Sequence, residues 1–204
     1  MFRRLAGLRF VSRTLIRPKR VEDELNKELQ YHLEREIHRG LRAGFKALRT
    51  VPGVDAAAAS VVAPGVPLSY QQEFKLLERS PNTDGRIVAG GNVVSPSYFE
   101  TMQMPLVAGE FCSRQSALSG TMPEVMVNRS FADRYMPGSS PVGLHLADAF
   151  TSNRLVGIVA DARERGIDRS PEPTVYFCGY PPQPFRVYLV CTANDPKRSA
   201  QAVS

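Results

Sequence analysis

Apolar side chains recur every four residues from position 21 to 41: Val21, Leu25, Leu29, Leu33, Ile37 and Leu41. This spacing predicts an amphipathic helix over 21–42 with one apolar stripe, which needs a partner to bury it. Glu22, Asp23 and Glu24 load its first turn, where the helix dipole favours acid. Gly40 and Gly44 are candidate terminators. A second, shorter helix is predicted over 42–52, with Leu41, Phe45 and Leu48 on its apolar side. Pro52-Gly53 ends it.

Beyond Gly53 the helical period gives way to short runs. Val54 to Ala63 is small and β-branched and reads as a buried strand or strand pair. Gln72 to Glu78 alternates around Phe74 and Leu76, the pattern of a half-buried strand. Arg86 to Val94, Pro123 to Val127, Gly143 to Leu146, Arg154 to Val159, Thr174 to Cys178 and Phe185 to Thr192 read as further strands. Ser95, as cap, and Pro96 open a short helix over 97–102. Pro105 to Gly109 reads as irregular. Asn128 caps a helix from Arg129 to Tyr135, which ends at Met136-Pro137-Gly138. Turns are predicted over 80–85 and 181–184, a loop over 161–168, and the start of a helix over 196–204.

Composition narrows the class. The chain has 204 residues, 43% of them hydrophobic and 23% charged. That supports a buried core and excludes wholesale disorder and collagen-like or coiled-coil architectures. The net charge is +6, but residues 1–50 hold 13 of the 26 Lys and Arg and 6 of the 20 Asp and Glu. The basic character therefore belongs to the leader, and it is not a sign that the whole chain binds nucleic acid. Residues 1–20 interleave Leu5, Leu8, Phe10, Val11, Leu15 and Ile16 with arginines. This pattern suits either contact with an anionic membrane surface or an unstructured basic leader. The most apolar stretch, Ala56 to Leu68, is broken by Pro64, Gly65 and Pro67, so it falls short of a membrane span.

Candidate chemistry is sparse. Neither a P-loop nor a G-x-G-x-x-G fingerprint is present. Glu28, His32 and Glu36 share one helix face, where a solvated or interface role is expected before metal ligation. His145 is the one histidine beyond the leader, so any Ser–His or Cys–His pair would need it. Asp161, Glu164 and Asp168 could pair as acid and base, but Arg163 and Arg165 in their loop favour surface ion pairs. Cys112, Cys178 and Cys191 allow one disulfide and encode no framework. Cys178 and Cys191 are expected as small buried residues in strands. Catalytic residues, metals and cofactors are accordingly not expected.

A series of phrases in one order carries a resemblance. Val51-Pro52-Gly53-Val54 opens it. Val93-Val94-Ser95-Pro96-Ser97-Tyr98-Phe99 and Pro105 to Phe111, with Gly109, follow. Then come Glu124 to Asn128, Phe131 to Tyr135, Pro137-Gly138 and Pro141-Val142-Gly143. Val156-Gly157-Ile158-Val159-Ala160-Asp161 and Pro173-Thr174-Val175-Tyr176 close it. Together they resemble the extracytoplasmic core domain of MacB-like, FtsX-type ABC transporter permeases. Glu24 to Glu34 is similar to the cytoplasmic leader of the duplicated orphan permeases of acidobacteria.

The resemblance implies an α+β fold of mixed sheets and short helices. A leader, 1–42, would precede a core domain, 43–204. The core would hold a porter-like part, 43–88 and 184–204, interrupted by an inserted smaller subdomain, 89–183. The implied role is non-enzymatic transport or efflux, coupled to a separate ATPase subunit and to the remaining permease segments. The location implied is the cell membrane with the core outside the cytoplasm, or the cytoplasm if the chain is complete. The family pattern has a span between leader and core and further spans after it; here they are missing, which suggests a fragment. The alternative is a soluble interaction module, docking its 21–42 helix on a partner, or a vestigial remnant of such a permease.

Overall fold

The computed structural model describes residues 40, 43–66, 71–78, 86–113, 124–163, 166, 168–179 and 187–192. Two compact units are distinguished, Met1–Arg42 and Ala43–Ser204, and all but one of the described residues belong to the second. The predicted helix over 21–42 (apart from Gly40, which is helical), the basic leader, Glu28, His32, Glu36, Glu164, the turns over 80–85 and 181–184 and the helix over 196–204 lie outside the described residues.

A helix, α1, runs over 43–50 and stops where Pro52 lacks a donor and Gly53 takes φ +84°. Strand β1 follows, Val54–Ser60. Its alanines have high intrinsic helix propensity, yet Ala57, Ala58 and Ala59 are fully buried in a strand. Tertiary pairing overrides the local preference here. Strand β1 runs antiparallel to β9, Val187–Thr192, along most of its length, and meets β3, Ile87–Val94, at Ser60 and Val94.

The other strands are β2, Gln71–Leu76; β4, Leu106–Gly109; β5, Glu124–Asn128; β6, His145–Ala147; β7, Ser152–Val159; and β8, Thr174–Cys178. Six of them close on themselves in the order β2-β6-β7-β5-β8-β3, because β2 pairs with both β6 and β3. The pairs β3–β8 and β5–β7 are parallel, and the other ring pairs are antiparallel. Strands β1 and β9 extend this six-stranded barrel from β3, and β4 lies on β7. With the short helices α1, α2, Tyr98–Thr101, and α3, Arg129–Tyr135, the class is α+β.

Alternation along the strands builds two cores. Phe74, Ile87, Val125, Leu146, Leu155 and Val175 come from all six ring strands and fill the barrel interior, with Phe131 and Tyr135 of α3. Met126, Val156, Val159, Tyr176 and Cys178 point to the opposite face. There they join Ala58, Val94, Tyr98, Phe99, Met104 and Cys112. A register shift between β5 and β7 (Val125 opposes Leu155 and Met126 opposes Gly157) re-phases β7, so that Leu155 and Ile158 both belong to the inner core.

Three expectations are corrected. Residues 106–109 form strand β4 because β7 supplies hydrogen-bond partners that a local pattern cannot show. Ser95 does not cap α2; Ser97 occupies the cap position and makes no side-chain cap bond. The Ser95 hydroxyl instead accepts the Ala59 N–H at 2.9 Å, and the Ser97 hydroxyl donates to the Ala57 carbonyl at 2.7 Å. Cys178 is not a free buried thiol, since it is bridged to Cys112 across 66 positions. Cys191 is free and half-buried in β9.

Candidate partner surface

Several of the residues that carry the resemblance make structural contacts in the fold. Asn128 sits at the junction of β5 and α3. Its Oδ1 accepts the Phe131 N–H at 3.1 Å, capping α3, and the Thr174 N–H at 2.9 Å, at the start of β8. Its Nδ2 donates to the Glu172 carbonyl at 2.8 Å. One buried amide thus satisfies three backbone groups, one in α3 and two at the start of β8. Asp161, an exposed residue, accepts the Ser130 N–H at 2.9 Å and covers a second open donor of the helix start. Phe131 is buried in the inner core. The carbonyl of buried Pro173 accepts the Gly90 N–H at 2.9 Å.

Ser95 and half-buried Pro96 shape the turn that brings Tyr98 and Phe99 over the outer core. Phe99 packs edge-on to Tyr98 and Tyr176 and stacks with Phe111, with centroids 5.6, 5.3 and 5.9 Å away. Gly109 and Gly157 are register partners between β4 and β7. Gly109 has φ +77°, and a Cβ there would fall on the Val156 carbonyl oxygen. One at Gly157 would fall on the Glu110 carbonyl oxygen and 2.7 Å from Met126 Cε. Both glycines are required by the close approach of the two backbones. Gly143 also has positive φ, +91°, and donates its N–H to the Leu155 carbonyl at 2.7 Å.

Of the side chains considered for chemistry, His145 and Asp161 are engaged in structural contacts. His145 Nδ1 meets Glu78 Oε1, and the His145 backbone N–H donates to Glu78 Oε2 at 2.9 Å. Hydrogen bonds from the His145 backbone and then its ring hold the Glu78 carboxyl below the usual glutamate range. Glu124, nearly buried in β5, accepts Arg154 Nη2 at 3.0 Å and the Ser113 N–H at 2.8 Å. Sequence reasoning missed all three contacts, whose partners lie 67, 30 and 11 positions apart. Among the described residues, no three His, Cys, Asp or Glu side chains are grouped so as to hold a metal ion.

What faces solvent is more informative than any pocket. Phe150 stands 86% exposed at the tip of the β6–β7 hairpin. Asp148 Oδ1 accepts the N–H groups of Phe150 and Thr151, each at 2.7 Å, so the tip is built as an Asx turn. Leu106, Val107 and Phe111 leave an apolar edge along β4, and Tyr188 and Val190 leave another on β9. A shallow cleft of about 400 Å³ opens between β4 and α3, floored by Val107, Ala108, Ala132, Met136 and Ile158 and rimmed by Arg129 and Asp133. Its open form and mixed rim suit contact with another surface better than enclosure of a reacting molecule.

No family model matches the chain, and no curated protein matches it. Solved structures do. The extracellular domain of the noncanonic ABC-type transporter YknZ from Gram-positive bacteria superposes with a TM-score of 0.53 at 14% identity. That match covers 76% of this chain and 74% of the other. The periplasmic region of MacB from Actinobacillus actinomycetemcomitans gives 0.53 at 10% identity, over 79% and 69% of the two chains. A domain of a protein described as a permease, from Porphyromonas gingivalis, gives 0.51 at 16%, over 77% and 71%. The core has the fold of these transporter domains. Among the described residues, no helix is long and apolar enough to cross a membrane.

Proposed function

We propose that residues 43–204 are the extracytoplasmic core domain of an ABC transporter permease, a non-catalytic part of a transport or efflux complex. The observation that carries this reading is the likeness in fold over about three quarters of the chain to an extracellular and a periplasmic transporter region. In this reading the core lies outside the cytoplasm and responds to a separate ATPase subunit through the remaining permease segments. The basic leader, 1–20, contacts the membrane surface, ahead of the amphipathic helix over 21–42, and nucleic acid is not a ligand.

The flanks 43–88 and 184–204 form the porter-like part. The antiparallel β1–β9 pairing, which joins the two flanks, supports this. The inserted part, 89–183, supplies most of the barrel, to which the first flank adds β2 and the start of β3. The apolar edges of β4 and β9 and the Phe150 tip are the surfaces offered to partner subunits.

The test uses the full gene product in the cell that encodes it. Core-domain tags should react with membrane-impermeant reagents, and an ABC ATPase should co-purify from detergent after cross-linking. A core domain found only in the cytosol, with no ATPase attached, would sink the proposal and favour a separate interaction module.

A further inference from the structure

The outer core is covered by a strap, residues 105–113, that carries β4 and Cys112. Strand β4 is no part of the six-stranded ring; its strand partner is β7. Phe111 stacks on Phe99 at the strap's outer side. Cys112 reaches through to Cys178 on β8, a strand held on both sides by β5 and β3. Both half-cystines are nearly buried, within the cluster of Phe99, Met104, Met126 and Tyr176. Their Cα atoms are 6.0 Å apart, an ordinary separation for a bridge.

We propose that Cys112 and Cys178 form a redox modification site: a structural disulfide, made after export, that locks the strap over the outer core. The inference deepens the extracytoplasmic reading, on which it rests for its oxidant. The two thiols exchange with the disulfide of an external thiol oxidase. One S–S bond forms in this chain and one breaks in the oxidase, which leaves with two thiols and the two electrons. In a reducing cytosol the same pair stays as two thiols, and the strap keeps its β7 pairing, the Ser113–Glu124 bond and the Phe111–Phe99 stack but loses its covalent tie to β8. Cys191, in β9 at the far edge of the β1 extension, takes no part.

The experiment begins with the purified core domain as part of the full chain, equilibrated in a glutathione redox buffer. Thiols are then titrated in denaturant, and the disulfide-linked peptide is identified by mass spectrometry. One free thiol, on Cys191, and a Cys112–Cys178 linked peptide are expected. Reduction should lower Tm by about 10 °C, given a loop of this length in a chain of this size. It should also speed hydrogen exchange in 105–113 well before the strands of the ring. Cys191→Ser should keep both properties. If Cys112→Ser with Cys178→Ser fails to fold, the reduced wild-type chain supplies the same comparison.

Three free thiols in the redox buffer, a bridge to Cys191, or exchange in 105–113 indifferent to reductant would each overturn the inference. Alkylation in intact cells separates it from the location it rests on. A pair that bridges in vitro but is trapped reduced in cells overturns manufacture after export and counts against the extracytoplasmic reading. A pair that fails to bridge in vitro removes the lock and leaves the location standing.

Discussion

The two cores use the same strands and differ in how they are closed. The inner one is ringed by hydrogen-bonded neighbours on every side, so its aliphatic residues and Phe74 need only fill the barrel. The outer one lies on an open face. It is covered by separate pieces: β1, the Ser95–Phe99 turn and the 105–113 strap. Each piece is tied down by a specific device. Hydroxyls of Ser95 and Ser97 bind the backbone of β1, facing glycines bring β4 onto β7, and a disulfide holds Cys112 to β8. Closure by the ring rests mainly on pattern, with Asn128 fixing the one helix that packs against it, whereas closure by a cover needs particular residues at several places.

The sharpest way to break this comparison is to empty each core in oxidised and reduced protein. Phe74→Ala and Phe99→Ala should each cost about 3–5 kcal/mol in urea unfolding. Reduction should add independently to the first, within about 0.5 kcal/mol, and non-additively to the second, which shares its cavity with the bridge. Equal coupling at both sites would dissolve the distinction. Next comes Gly157→Val. Its side chain would meet the Glu110 carbonyl and Met126, lifting β4 off β7 at a cost of about 3 kcal/mol. Hydrogen exchange should locate the damage in β4, with the β2–β3 pairing unchanged.

Asn128→Ala tests the joint between the inner core and its helix. Loss of the α3 cap together with two further bonds should cost about 2–3 kcal/mol, read from the shift in urea midpoint. Asn128→Asp keeps the acceptor and loses the donor to Glu172, so it should recover part of that loss.

The smallest effect concerns the rim of the barrel. The Glu78 carboxyl is lowered in the folded state by the backbone and ring of His145. Its contribution is therefore complete above about pH 4.3, the ordinary glutamate value. It is lost as pH falls through the lower folded-state value. The stability difference between wild type and Glu78→Gln should be present at pH 6 and should vanish as the acid limit is approached. A difference that persists after the folded-state carboxyl has been titrated to its acid end point would assign it to packing.

Much of the inner core was legible. The alternation around Phe74 and Leu76, the Asn128 cap and the run Thr174 to Cys178 appear where local pattern places them, because each depends on neighbours a few positions away. The outer core was less so. Ser95 reads as a helix cap because serine before proline suits one, but its hydroxyl is taken by Ala59, 36 positions back in the chain. The strap reads as irregular because four exposed or half-exposed residues carry no period. Glu78 with His145 and Glu124 with Arg154 pair across 67 and 30 positions, and no local signal marks them.

The amino-acid order by itself determined most of the strands and the start of α3, and its series of phrases resembles a transporter domain, a resemblance that implies the α+β class. The strands and the helix start follow from side-chain period, turn chemistry and capping, which act over a few residues. Only the tertiary structure decided that β2 closes the ring, that β4 is a strand, that two faces of one sheet serve two cores, and that Cys112 rather than Cys191 meets Cys178. Those outcomes depend on which distant backbones come within hydrogen-bonding or bonding distance, and chain closure sets that after the local elements have formed.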